Sequence, residues 1–418
     1  MKIAIVTNGT RGDVQPYLAV ALALTARGHT VKLAAPEDHR ELVRAYGVEH
    51  FPLRGSMREL LSSELGQKWL NSAGSPRLYA RYARELFVPL QERHCVDADA
   101  AVEGADGVVG YGLAFGALHA AERRQLPLVT LSPWPMVPSR AITPPGAAFL
   151  DPAPGVLKYA LGHALWWVAY SALSEPHRRY RKRIGLPPLR APDIFHAVIE
   201  RSVATIHLFS EAILSRPADW AARHHVAGYA FAPPLTFEPS RALSDFLRAG
   251  PAPVYIGFGS MTGMSRSELV ELAIATTRRA SVRAIVATGW GGPSDGLPNS
   301  DDLYFVDELP HDWLFPRVRA VVHHGGAGTF AAGLRAGKPT VVAAFFGDQP
   351  FWGQINHALG AGPPPLTPRT LRADTLASAI RRTLTGLYDA RAAALGERLR
   401  REDGAAKAAE LIERALAR

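Results

Sequence analysis

Cysteine is nearly missing from this chain: Cys95 stands alone. One thiol excludes an intrachain disulfide and a cysteine-rich zinc site, and it suits a reducing cytosol. Long hydrophobic runs are missing as well. The opening MKIAIVTNGT is too short in apolar residues for a signal peptide and has no small-residue cleavage site after it. It reads as a buried first strand. The apolar stretch Val156–Ser174 is interrupted by Lys158 and His163, which speaks against a transmembrane span. Zinc-finger spacing, an RNA-binding aromatic signature and a lysine-rich tail are all lacking, so the net charge of +9 is not read as a nucleic-acid footprint. Arginine greatly outnumbers lysine among the 47 basic residues, a pattern that fits a GC-rich genome. No Asp-x-Asp pair follows a strand in the candidate binding regions.

What is present is an ordinary globular balance, 47% hydrophobic and 20% charged over 418 residues, enough for two or three domains. Strand and helix signals alternate from the start. Ile3–Val6, Thr30–Ala34, Val48–Leu53, Val108–Val109 and Leu128–Leu131 are short apolar runs, and Val14–Arg27 carries helical spacing that stops at Gly28. Alternation of this kind predicts a parallel sheet covered on both faces. Arg54–Pro76 is polar and reads as a mobile loop; Pro133–Pro154 holds seven prolines and reads as an irregular substrate loop. After a Pro-rich linker the pattern restarts with strands at Pro253–Phe258, Arg283–Ala287, Leu303–Val306, Ala320–Val322 and Thr340–Ala343. The expectation is two Rossmann-like doubly wound α/β domains facing a cleft. Residues 1–230 form the N-terminal domain, 231–250 the linker region, and 251–418 the C-terminal domain, whose final helix is free to pack back on the first.

Three segments carry chemistry. His323-His324-Gly325-Gly326-Ala327-Gly328-Thr329 ends a buried strand and opens a helix, so its backbone N–H groups and the helix N-terminus suit an anion. It is neither the phosphate loop of NTPases nor a dinucleotide fingerprint. The rival Gly257-Phe258-Gly259-Ser260-Met261-Thr262-Gly263 is not followed by an acidic residue after the next strand, and a dinucleotide-dependent oxidoreductase is weakly supported. Asn8-Gly9-Thr10-Arg11-Gly12-Asp13-Val14 closes the first strand, with Asp13 where the helix begins, a place that by itself suits a helix N-cap. Asp348-Gln349, at the end of another strand, offers the donors and acceptors that sugar hydroxyls need.

Together these segments resemble the GT-B, family 1 glycosyltransferases. Asp348-Gln349-Pro350-Phe351-Trp352-Gly353 looks most like the sterol glucosyltransferases, and Thr10–Pro16 is shared with them and with bacterial natural-product (antibiotic) glycosyltransferases. The resemblance implies inverting, metal-independent transfer of a sugar from a nucleotide diphosphate sugar, with UDP-glucose or a dTDP-sugar as donor, to a hydroxyl of a lipophilic acceptor. It implies Asp13 as base and Ser260, His324, Gly326, Gly328 and Thr329 as phosphate contacts. Asp348 and Gln349 would read the sugar, and Val306–Trp313 would line the base and ribose. No cofactor beyond the sugar nucleotide is expected. Trp134, Trp166 and Trp167 are candidates for the acceptor side, and Trp290 and Trp352 for the border of the donor. Sterol and antibiotic aglycones both stay open, as do a nucleotide-sugar epimerase and an inactive lipid- or nucleotide-binding protein. The expected location is cytoplasmic. The aromatic, apolar stretch Val156–Tyr170 with the basic run His177–Arg183 after it leaves open a weak contact with an anionic membrane surface, beside the alternative of an acceptor-pocket helix followed by a solvated basic helix.

Overall fold

The computed structural model describes residues 1–72, 75–144, 147, 152–259, 264–289 and 294–417. Ser260 and Trp290 lie outside them. The chain divides into two compact units, Met1–Ala232 with Asp403–Arg418, and Pro233–Glu402.

Unit 1 is built on β1 (Lys2–Val6), β2 (Thr30–Pro36), β3 (Glu49–Leu53), β4 (Gly107–Tyr111), β5 (Leu128–Ser132), β6 (Ala204–His207) and β7 (His224–Val226). The sheet is parallel, in the order β3-β2-β1-β4-β5-β6-β7. Its helices are α1 (Arg11–Ala26), α2 (Arg40–Ala45), α3 (Met57–Ser62), α4 (Glu64–Asn71), α5 (Pro76–Ala101), α6 (Gly116–Arg123), α7 (Gly155–Arg183) and α8 (Ile194–Arg201). Strands β4 and β5 are buried at every position, because helices cover both faces and leave no polar side to alternate.

Unit 2 repeats the plan with β8 (Val254–Gly257), β9 (Ala284–Ala287), β10 (Leu303–Val306), β11 (Ala320–His323) and β12 (Thr340–Val342), parallel in the order β10-β9-β8-β11-β12. Helices α9 (Arg241–Arg248), α10 (Arg266–Ala280), α11 (His311–Leu314), α12 (Ala327–Arg335), α13 (Gln349–Ala358), α14 (Ala373–Leu384) and α15 (Asp389–Arg400) surround it. Period-2 alternation divides the sheet between two cores: Val254, Ile256 and Val322 face one, Tyr255, Ile285 and Val321 the other. The last helix, α16 (Gly404–Leu416), groups with unit 1 and packs on α1. There Glu413 accepts from Arg27 and contacts His29 Nε2 at 2.7 Å. Gly404 meets the backbone of Gly228 so closely that a Cβ would lie 2.4 Å from the Gly228 carbonyl.

Two segments differ from the sequence expectation. Residues 57–71, expected as a mobile loop, form α3 and α4. Ser56 and Ser63 cap them by accepting from the Glu59 and Gly66 N–H groups, and Met57, Leu61, Trp69 and Leu70 are buried. A polar average concealed two short amphipathic turns. Residues 241–248, expected within the linker, form α9, which buries Leu243 and Phe246 in the core of unit 2.

Candidate active site

In each sheet the strand order reverses beside its first strand, and ligands in such folds sit at the carboxyl ends of the strands at that switch point. The reversal falls between β1 and β4 in unit 1, and between β8 and β11 in unit 2. The segments singled out by sequence close these strands.

In unit 1, Thr10 is the N-cap of α1 and Asp13 is its third residue. The expected position is therefore corrected: Asp13 is not the N-cap itself but the first-turn residue that reaches back to it. Its Oδ2 accepts from the Thr10 N–H at 2.8 Å and the Thr10 hydroxyl at 3.1 Å, the reciprocal half of a capping box. The Tyr111 hydroxyl, at the end of β4, also hydrogen-bonds this carboxylate. Asp13 keeps part of its surface open but is densely surrounded. Burial raises its pKa above the ordinary carboxylate value, against the pull of the Thr10 and Tyr111 hydrogen bonds and of His39. A carboxylate so placed is a stronger base than a solvated one.

Gly9 makes room for it. Its φ is +102°, and a Cβ there would lie 2.4 Å from Asp13 Oδ2. His39, which follows β2, is buried and donates from Nε2 to the Gly9 carbonyl at 3.3 Å. Asn8 donates to the Leu113 carbonyl at 3.3 Å, tying the loop after β1 to the one after β4. Tyr111 and His39 were missed by sequence reasoning. Nothing in a linear pattern links them to residue 13, and only the strand order could have found them.

In unit 2, β11 ends at His323, and α12 begins after Gly326. His323 is fully buried, and its Nδ1 accepts from the Gly325 N–H at 2.9 Å, which fixes the turn. Gly325 has φ +91° and lies against the Gln349 backbone. The His324 ring is held between two glycines: a Cβ on Gly326 would lie 2.4 Å from its Nε2, and one on Gly259, after β8, 2.9 Å from its Cε1. Burial pushes its pKa down to about 4, so the ring is neutral at pH 7 and has one N–H to donate. Gly326 is the N-cap of α12 and makes no side-chain cap bond. The N–H groups of Ala327, Gly328 and Thr329 belong to the first turn, which has no intrahelical acceptors. Half-buried His324 and Thr329 thus flank a helix N-terminus at the switch point, an arrangement that suits a diphosphate.

Asp348 is the N-cap position of α13 and makes no side-chain cap bond. Its Oδ2 accepts from Trp352 Nε1 at 2.8 Å. Trp352 is fully buried and stacks on Phe330, centroids 5.4 Å apart, so it belongs to the core and not to a donor border. Gln349 is buried, and its Oε1 accepts from the Phe345 and Phe346 N–H groups at 2.8 and 3.3 Å. Its oxygen anchors the preceding loop, and only its amide NH₂ is left for other work. Trp313 packs edge-on against Phe237 at 4.9 Å, with the Arg317 guanidinium over its ring.

In unit 1, Trp134, Trp166, Tyr170 and Phe195 form one aromatic cluster. Trp134 and Trp166 are 5.4 Å apart, and Tyr170 and Phe195 stack at 4.7 Å. Trp134 also hydrogen-bonds Tyr111, linking the cluster to Asp13. Trp167, the next residue on the helix after Trp166, does not join it: it faces outward and is 51% exposed. Beside Phe195 lies a polar chain that the sequence did not reveal. Asp193 Oδ2 contacts His196 Nδ1 at 2.6 Å, and His196 Nε2 contacts His163 Nδ1 at 2.8 Å.

Cys95, His119 and His177 meet in the interior of α5, α6 and α7. Arg181 donates to His119 Nδ1 at 3.3 Å, and His119 Nε2 donates to His177 Nδ1 at 3.0 Å. A proton thus fills the space a metal would need, beside a guanidinium, and the cluster is a hydrogen-bond chain.

Residues 3–142 match the glycosyltransferase family 28 N-terminal domain. Residues 294–416 match the C-terminal domain of erythromycin biosynthesis protein CIII-like proteins. The structure is similar to a solved kitacinnamycin glycotransferase, with a TM-score of 0.71, 19% identity and 99% of both chains covered. It is also similar to a Streptomyces glycosyltransferase solved with thymidine diphosphate, with a TM-score of 0.62, 18% identity and 99% of both chains covered. Both units therefore have the GT-B glycosyltransferase fold. A sterol 3-beta-glucosyltransferase of Arabidopsis thaliana is 34% identical over 425 residues, covering 100% of this chain and 68% of the relative. One from Emericella nidulans is 31% identical over 437 residues, covering 100% of this chain. This chain belongs to the glycosyltransferase family of the sterol 3-beta-glucosyltransferases. It spans 68% and 64% of the two plant relatives and 30% of the Emericella one.

Proposed function

We propose that the protein is an inverting, metal-independent glycosyltransferase that moves a sugar from a nucleoside diphosphate to one hydroxyl of a rigid lipophilic acceptor, a sterol or a polycyclic or macrocyclic aglycone. The observation that carries this reading is the placement of Asp13 and His324 at the two switch points. Asp13 takes the acceptor proton as the new C–O bond forms and the bond from the anomeric carbon to the diphosphate breaks. Thr10 and Tyr111 hold its carboxylate in place. His324, Thr329 and the N–H groups of Gly326 and Gly328 bind the diphosphate, with the helix N-terminus supplying the positive potential. Ser260 is the further phosphate contact proposed. The Gln349 amide and Asp348 read the sugar. Trp134 and Trp166 supply flat apolar surface for the acceptor, and Trp167 takes no part in that surface. Sterol-type relatives favour the sterol acceptor over the antibiotic one. No helix among the described residues is long and apolar enough to cross a membrane.

Steady-state kinetics over a panel test it. UDP-glucose and dTDP-glucose are offered against sterols, macrolides, flavonoids and free sugars, with and without EDTA. Turnover should survive EDTA and prefer a lipophilic acceptor. A strict metal requirement, preference for a free sugar, or epimerised donor without acceptor would overturn the reading.

Two substitutions at one position separate anchoring from sugar recognition. Gln349→Ala removes the acceptor for Phe345 N–H and should lower stability by about 1–3 kcal/mol in denaturant unfolding. Gln349→Glu keeps an acceptor oxygen but loses the NH₂. It should raise the KM for the sugar nucleotide while leaving nucleoside diphosphate binding, measured by calorimetry, nearly unchanged.

A further inference from the structure

Large apolar side chains are seldom left open to water in groups. Of the twelve exposed large hydrophobic residues described in this chain, six lie on the first half of α7: Val156, Leu157, Tyr159, Leu165, Trp167 and Val168. Val156 and Val168 are 66% and 63% exposed. The exposed positions between them include Ala160 and Ala164 and no charged residue. At about 100° per residue, Leu157, Leu165, Trp167 and Val168 share the outward arc of the helix with Arg178, Arg179, Lys182 and Arg183, all exposed, on its second half, while Val156 and Tyr159 are exposed beside that arc at the start of the helix. Glu175 is the exposed acid on that half, and it pairs with Arg179 at 3.7 Å. The inward side is committed: Tyr180 donates to the Cys95 carbonyl, Arg181 pairs with Glu122, and Ser174 accepts from the Ile194 N–H. The helix, about 43 Å long, therefore shows one continuous outer face, apolar at its start and cationic at its end.

We propose that this outer face of α7 docks on an anionic lipid bilayer, with Val156–Val168 entering the interface and Arg178–Arg183 meeting the headgroups. A bilayer presents apolar and anionic surface within a few ångströms of each other, which is what this face complements. A second copy of a chain carrying a net charge of +9 does not. Docking places the protein where a lipophilic acceptor is dissolved, and in that purpose alone it rests on the function proposed above.

Vesicle co-sedimentation of the full chain, without donor or acceptor, tests it. The protein should bind mixed phosphatidylcholine–phosphatidylglycerol vesicles and bind phosphatidylcholine vesicles far less, with binding falling as salt rises. Val156→Glu with Val168→Glu, both at open surface, should cut binding about tenfold or more, and so should Arg179→Gln with Lys182→Gln. Retained secondary structure and an unchanged melting temperature show that these variants fold. Absence of binding to mixed vesicles, or equal binding by the valine variant, overturns the proposal. So does a dimer in sedimentation velocity that the valine variant abolishes, which assigns the face to a second copy. Transfer to a detergent-dispersed acceptor is measured separately. Loss there with vesicle binding intact counts against the function, not against the docking surface.

Discussion

Asp13→Asn should abolish sugar transfer and leave the fold intact. An amide oxygen still accepts from Thr10 N–H, so the link that secures the start of α1 survives, and stability should change by no more than about 1 kcal/mol. What is lost is a group able to take a proton, which typically costs about 10²–10⁴ in rate. Nucleoside diphosphate affinity should be untouched, because its proposed contacts all lie in unit 2. In the wild type, burial holds the Asp13 carboxyl above its ordinary pKa, and the base works only when ionised. Activity should therefore fall as pH drops through that raised value, at a higher pH than a solvated aspartate would set. A variant with near-normal turnover would leave Asp13 as a structural partner of Thr10 and nothing more.

His324→Ala should weaken binding of the nucleoside diphosphate itself, about tenfold to a hundredfold, the range for a hydrogen bond to a charged partner. The geometry allows a second test that leaves the imidazole in place. Gly326 has φ −61° and ψ 141°, so alanine fits its backbone, but the added Cβ would lie 2.4 Å from His324 Nε2. The ring must move, and Gly326→Ala should reproduce much of the His324→Ala loss. Calorimetry with UDP and dTDP measures both variants. Unchanged affinity in both would remove His324 from the donor site. A loss in His324→Ala alone would show that the ring reaches phosphate from more than one position.

The sequence was most legible where a short apolar run meets a glycine. Each such junction proposed for the site is a real strand end: Val6 before Gly9, Gly257 before Gly259 and His323 before Gly325. Such signals are local, since strand burial and turn conformation depend on a few neighbouring residues. Helices α3, α4 and α9 were not legible, because two or three buried residues in a polar segment do not shift its average. Adjacent tryptophans could not be sorted either. Residues 166 and 167 differ by about 100° around a helix, and which one turns inward depends on where Phe195 and Trp134 lie.

By itself the sequence determined the alternating parallel α/β plan, the glycine turns, and the residue types that face an anion and a hydroxyl. Only the tertiary structure decided that Tyr111 and His39 attend Asp13, that Gly259 and Gly326 enclose His324, and that the oxygen of Gln349 is already engaged. It also decided that Trp352 is core while Trp167 is surface. The reason is physical: a strand end and its turn are specified by contacts a few residues apart, whereas the partners of a buried polar group are set by strand order, which joins residues 13 and 111, or 259 and 324, that no local pattern connects.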